Sequence, residues 1–227
     1  MSRIYKIVLL ITTLIFLTTY NPNKIVFFED NNNFFFKVKN IYISNNNRIS
    51  QKDIIKKLNP IYKKSIFSIS NNDIQKPLET INFLEKIEVK KKYPNTILIK
   101  VYESDPVGIL FKNNTKYIID SISNLIPFNK NLIDSNLPDI FGKEAENDFI
   151  NFFKQLKSTN FPIHKIKSYY YFKIDRWDLQ LENGQIIKFP NKKRIKVIQQ
   201  SLELLQRKDF KSYKVIDLRM PGKIVVE

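Results

Sequence analysis

With 227 residues, 43% apolar and 13% aromatic, the chain has room for one large or two small domains and can fill their cores, which excludes wholesale disorder. It has no cysteine, which rules out disulfides, thiolate metal sites and cysteine nucleophiles, and its one histidine, His164, cannot make a zinc site alone. The net charge of +16 invites a nucleic-acid reading, yet the lysines are scattered along the whole chain, and a solvated basic surface accounts for them.

The first six residues form a short basic tail, followed by an apolar run from Ile7 to Tyr20. Counted from Ile4, with Lys6 snorkelling back to the interface, the run is about 17 residues, the lower end of what crosses a bilayer. A cleaved signal peptide needs small residues before the cut, and no Ala, Gly or Ser stands between Ser2 and Ser44. The run therefore reads as a retained single-pass transmembrane helix over 7–20. Arg3 and Lys6 precede it, which leaves 1–6 as a cytoplasmic tail and exports the rest. Residues 21–33 are polar and Asn-rich, and read as a linker.

A first domain is expected over 34–106. Phe36–Ile43 alternates as a strand and is stopped by Ser44-Asn-Asn-Asn47. Ser50-Gln-Lys-Asp53 has the form of a capping box, opening a short helix with Ile54, Ile55 and Leu58 that Pro60 ends. Ser70-Asn-Asn-Asp73 opens a second helix carrying Ile74, Leu78 and Ile81, and Pro77 should kink it or push its start later. Ile87, Val89 and Lys91 alternate with Glu88 and Lys90. Tyr93-Pro94-Asn95-Thr96 is turn chemistry with Pro94 at the first central position. The strand after it has bulk on both faces, which places it inside a sheet, and Pro106 closes the pairing. This β-α-α-β-β order lays two short helices over one face of a three-stranded sheet.

From 107 to 227 strands dominate. Ile109–Phe111 and Lys116–Ile119 make a hairpin across Lys112–Thr115, and Asp120–Asn124 turns into Leu125–Phe128. Leu137–Gly142 leads into a helix with Ala145, Phe149, Phe152, Phe153 and Leu156 on one face. Ile166–Ile174 is an aromatic strand, and its tyrosines suit a sheet face better than a ligand cage. Trp177, Leu179 and Leu181 alternate with Asp178 and Gln180, which puts Asp178 and Glu182 on a solvated face. Asn183-Gly184 signals a type I′ hairpin. Lys192–Arg207 is an amphipathic helix on Ile195, Ile198, Leu202 and Leu205. Val215–Arg219 and Ile224–Glu227 are the last strands, joined by a type II turn at Met220-Pro-Gly-Lys223. The glycines serve as punctuation. The fold class is α+β: an anchor, a small β-α-α-β-β domain, and a mainly antiparallel β-domain with two helices.

The first domain's order, together with Phe-Leu-Glu-Lys-Ile-Glu-Val (83–89), Tyr-Pro-Asn-Thr-Ile (93–97) and Glu-Ser-Asp-Pro-Val (103–107), resembles a polypeptide-transport-associated (POTRA) domain. The second part resembles the β-domain of the bacterial FtsQ/DivIB division family. The motifs are Tyr-Ile-Ile-Asp (117–120), Leu-Pro-Asp-Ile-Phe-Gly (137–142), Arg-Trp-Asp-Leu-Gln-Leu-Glu-Asn-Gly (176–184) and Ile-Asp-Leu-Arg-Met-Pro (216–221). Two departures stand out: Asn45-Asn46 occupies a place where the family turns with a glycine, and the cytoplasmic tail is short. Secretion and outer-membrane relatives carry a membrane barrel after a POTRA domain, for which this chain has too few strands.

The resemblance implies a divisome scaffold without enzymatic activity or cofactor. It would sit in the inner membrane at the septum, face the periplasm, and bind the small coiled-coil proteins FtsB and FtsL. The arginine of Asp-Leu-Arg and the residue after it hold FtsB in the family, and they map to Arg219 and Met220. A further family arginine aligns near Asn191, with Lys192 or Lys193 as the alternative source of its charge. If the last hairpin lies at the sheet rim, Ile224, Val225, Val226 and Glu227 offer unpaired main chain to a partner strand. Two rival readings are a POTRA-type chaperone for exported polypeptides and a peptidoglycan or lipid-surface binder.

Overall fold

The computed structural model describes residues 3–19, 36–133 and 136–227. The linker expected over 21–33, the first two residues of the first domain and the last residue of the expected anchor lie outside them. The chain divides between Phe35 and Phe36 into two units.

The first unit contributes α1 (Arg3–Thr19), 17 residues long. Its apolar side chains from Ile4 to Leu17 stand 50–71% exposed. The hydroxyls of Thr12, Thr13 and Thr18 donate back to the carbonyls of Val8, Leu9 and Leu14 at 2.7–3.0 Å. At 1.5 Å per residue such a helix is about 26 Å long, short of the roughly 30 Å of a hydrocarbon core. No helix among the described residues is long and apolar enough to cross a membrane.

The second unit begins with β1 (Asn40–Ser44), α2 (Gln51–Lys57), α3 (Asn71–Leu78), β2 (Leu84–Lys92) and β3 (Thr96–Glu103). The sheet order is β1-β3-β2, with β1 parallel to β3 and β2 antiparallel to it. The strand expected inside the sheet is central, but not because both its faces are buried. Ile97, Ile99 and Val101 pack against Ile54, Leu58, Ile74 and Leu78, whereas Leu98 and Lys100 face outward and stay exposed.

The capping box forms at Ser70, whose hydroxyl accepts from the Asp73 N–H while Asp73 accepts from the Ser70 N–H. It does not form at Ser50, because the Ser50 carbonyl already takes the Asp53 N–H at 3.1 Å. Pro77 neither delays nor splits α3; the helix starts at Asn71 and ends one residue past the proline. The Tyr93–Pro94 peptide is cis, so Pro94 does not take the first central position of a trans-proline turn. In the Asn45-Asn46 pair, where the resemblance leads one to expect a glycine, Asn45 adopts φ +64°, and its amide donates to the Val101 carbonyl at 2.8 Å. Asparagine tolerates that conformation better than other side chains. The Glu103 carboxylate then gathers the N–H groups of Asn47, Arg48 and Ile49 at 2.8–2.9 Å.

The larger sheet is built from β4 (Pro106–Lys112), β5 (Thr115–Asp120), β6 (Leu125–Pro127), β7 (Asp139–Phe141), β8 (Ile166–Phe172), β9 (Arg176–Leu181), β10 (Ile186–Lys188), β11 (Val215–Asp217) and β12 (Val225–Val226). Its order is β12-β11-β10-β9-β8-β7-β4-β5-β6. Residues 137–142 do more than lead into a helix: β7 is an interior strand, parallel to both β4 and β8. A third parallel pair joins β10 to β11, so the sheet is mixed although antiparallel pairs predominate. The interior placement explains Gly108 and Gly142. A Cβ on Gly108 would lie 2.4 Å from Ile140 Cδ1, and one on Gly142, at φ +126°, would lie 2.3 Å from the Tyr171 carbonyl.

The turns exchange roles. The type I′ geometry lies at Asn113-Asn114, both at positive φ, between paired Lys112 and Thr115. At Asn183-Gly184 only the glycine is at positive φ. There the Gly184 N–H bonds to the Leu181 carbonyl and the Leu181 N–H to the Gln185 carbonyl, a type I turn closed by a bulge.

Helices α4 (Phe149–Ser158) and α5 (Arg194–Gln206) cover one face of this sheet over a core of Phe149, Phe152, Tyr169, Trp177, Phe189, Ile198 and Leu204. Ile195 was expected in that core and is half exposed. Arg194 turns inward instead, hydrogen-bonded to the Asp148 carboxylate that also accepts the Trp177 indole N–H at 2.9 Å. The next residue lies about 100° round the helix and faces out. On the opposite face of the sheet, Ile118 of β5 and Ile126 of β6 join the core of the first sheet. Ser104 Oγ donates to Asp120 Oδ2 at 2.7 Å across the same junction, and Asp120 also accepts from the Ile122 and Asn124 N–H groups.

Candidate partner-binding edge

Among the described residues, strand β12 is the outermost of its sheet and pairs on one flank only, with Ile216 opposite Val226 and Asp217 opposite Val225. Glu227 and Val215 exchange both of their N–H···O bonds at 3.1 Å. Val226 is the next residue along, so its own N–H and C=O point away from β11 to the open flank. Its side chain packs against the core, while Ile224 and Val225 are partly exposed and Glu227 is exposed. The type II turn forms as expected, with Gly222 at φ +72° and the Lys223 N–H bonded to the Met220 carbonyl at 3.2 Å.

On the face away from α4 and α5 the register runs Tyr170, Asp178, Lys188, Asp217, Val225 across five strands, a row of alternating charge that ends at the open edge. Phe141 and Phe111 extend it the other way, with ring centroids 5.3 Å and 4.7 Å apart in turn. Arg219 folds back over this row. Its Nε donates to both oxygens of Asp217, at 2.8 and 2.9 Å, and its Nη2 adds a further bond to the same carboxylate. That bond to the guanidinium holds the Asp217 carboxyl below the usual carboxylate range, outweighing its partial burial.

Asp178 corrects an expectation. It does not lie in solvent but is 6% exposed, and burial pushes its carboxyl up despite Arg176, Arg219 and Lys188 nearby. Arg176 Nε stands 3.4 Å away and its guanidinium lies 3.7 Å from the Phe172 ring centroid. Among the described residues no group of three or more His, Asp or Glu side chains could hold a metal.

Asn191 and Lys192 are exposed in the segment after β10. Because β10 and β11 are parallel, that segment and Arg219-Met220 leave the sheet at the same end, and the Leu218 N–H reaches the Lys188 carbonyl there at 3.0 Å. Met220 is 52% exposed. The family resemblance offers Lys192 or Lys193 as the source of the charge, and both are exposed. That alignment passes over Arg194, the arginine that does follow the hairpin, which is tied into the Asp148–Trp177 cluster. Asp148 lies 46 residues upstream of it, so no local pattern announces the pair.

A small β-α-α-β-β domain whose core is completed by a helix-backed mixed sheet has the architecture of a POTRA domain followed by a second, β-rich domain. A family model described as POTRA domain, FtsQ-type, matches residues 36–104, and one described as cell division protein FtsQ/DivIB, C-terminal, matches 108–219. Among curated proteins named cell division protein FtsQ, that of Rickettsia bellii is 28% identical over 203 residues, covering 85% of this chain and 72% of the relative. Those of Rickettsia typhi and Agrobacterium fabrum are 26% and 24% identical, covering 85% of this chain and 73% and 61% of themselves. The chain belongs to the FtsQ/DivIB family of cell division proteins.

Proposed function

We propose that the chain is a non-enzymatic scaffold of the divisome, held in the inner membrane by its N-terminal apolar segment with residues 36–227 on the periplasmic side. There it recruits small coiled-coil division proteins of the FtsB and FtsL type to the septum by strand addition at β12. The single observation that carries this reading is the open flank of β12, with the Val226 N–H and C=O directed into it. Each main-chain bond formed there contributes about 0.5–1.5 kcal/mol net. Selectivity then falls to Arg219, Met220, Asn191 and Lys192 at the same end of the sheet. The anchor is supported by the absence of ionised side chains from Ile7 to Tyr20 and by threonines that satisfy their hydroxyls within the helix, as an apolar surround demands.

Two substitutions test the edge in the full chain by co-purification from membranes. Arg219→Glu should weaken capture of the small partner while the protein melts normally. Val226→Pro removes a donor that the β11–β12 ladder does not use, and should weaken capture in the same way. Undiminished capture with both would refute strand addition at this edge. A general chaperone would instead use the rims of the smaller sheet, and there β2 carries Lys86, Lys90 and Lys92, residues that discourage added strands.

A further inference from the structure

Three aromatic side chains, each more than half exposed, stand together at one end of the smaller sheet: Phe36 (54%), Phe67 (61%) and Tyr93 (56%). Phe67 stacks on Tyr93 with ring centroids 4.9 Å apart and meets Phe36 edge-on at 5.5 Å. They come from three separate segments that the main chain ties together. The Ile66 N–H bonds to the Phe36 carbonyl at 3.1 Å, and the Lys39 N–H bonds to the Asn95 carbonyl at 2.8 Å. Scattered exposed apolar residues are ordinary, but a preassembled aromatic cluster is a contact surface.

Charge and position say what kind of surface it meets. Residues 36–44, 62–69 and 91–97, which build the cluster, contain Lys37, Lys39, Lys63, Lys64, Lys91 and Lys92 and no acidic residue of their own; Lys64 is paired with Asp73 at 2.6 Å and the Lys91 ammonium donates to the Ile69 carbonyl, which leaves a net positive surround. Aromatic rings rimmed by lysine suit the headgroup layer of a bilayer, where rings sit at the level of the ester groups and cations meet anionic lipid. Phe36 is also joined to α1 by only the sixteen residues 20–35, so it is at the tethered end of its domain.

We infer that Phe36, Phe67 and Tyr93 form a lipid-interface contact that seats this end of the first domain among anionic headgroups; the inference rests on the anchoring of α1 proposed above. The native chain has no cysteine, so Ser68→Cys, beside Phe67, accepts a single environment-sensitive fluorophore, and Ser44→Cys at the other end of β1 serves as the control.

The full chain is reconstituted in phosphatidylcholine–phosphatidylglycerol vesicles and floated, and quenching by headgroup-level spin-labelled lipid is measured. Interfacial groups lie about 5–10 Å deep, so quenching at position 68 should exceed that at 44 roughly twofold or more. Phe67→Ser with Tyr93→Ser should bring it down to the control value. Equal quenching at 68 and 44 in floated chains overturns the lipid contact and leaves the anchor standing. Strong quenching that survives the double substitution removes the cluster's role. Chains that fail to float with the vesicles overturn the anchor, and the contact with it.

Discussion

Arg194 and Asp148 show how much one long-range pair can decide. Burial by itself pushes the Asp148 carboxyl up, but the bonds from Arg194, Trp177 and Asn151 together outweigh it and hold it below its ordinary value. Both side chains are largely buried, so removing one charge strands the other. Asp148→Asn should therefore cost about 3 kcal/mol of stability, read as a fall in the denaturant midpoint. The pH dependence has a definite sign. A depressed carboxyl pKa contributes stability that is present above the unfolded value near 3.9 and is lost as pH falls through the folded value. The native chain should accordingly lose stability below about pH 4 more steeply than Asp148→Asn does. A parallel pair of curves would show that the pair carries no linkage.

Among the elements, β7 has the largest consequences for its length. It places Ile140 in the core and Phe141 in the aromatic stack, and sets Gly142, the residue after it, against the main chain of β8. Gly142→Ala combines a backbone conformation that L side chains avoid with a contact to the Tyr171 carbonyl that cannot yield. It should destabilise the fold by about 3 kcal/mol, measured in the same denaturant series. Gly184→Ala meets no neighbour at all and tests the φ contribution alone, so it should cost clearly less. The sequence pattern misses β7 because three residues are too few for alternation to register, and because parallel partners 30 residues away supply its pairing.

For the molecule as a whole, the core of the smaller sheet is not closed by its own residues. Ile118 and Ile126 come from the larger sheet, and the buried Ser104–Asp120 bond spans the junction. Residues 36–227 should thus unfold in urea as one transition, followed by both fluorescence and circular dichroism. Ile118→Ala with Ile126→Ala leaves a cavity at the junction and should split the transition or separate the two probes. A single unbroken transition of unchanged slope in that variant would mean the shared side chains do not couple the sheets.

By itself, the sequence determined the features that depend on neighbours a few residues apart. These are the apolar N-terminal run, the β-α-α-β-β order, the capping box at Ser70, the faces of α4, the type II turn at Pro221-Gly222 and the family that these motifs resemble. Their periods are set by local backbone geometry, and a short window of residues displays them. Only the tertiary structure decided that Asp178 is buried, that Arg194 rather than Ile195 faces inward, and that the two sheets share a core. It also decided which turn takes positive φ twice, and that β12 keeps one flank open. Each of these depends on which distant segments pack side by side, and burial, pairing and ionisation are properties of that packing rather than of the residues along the chain.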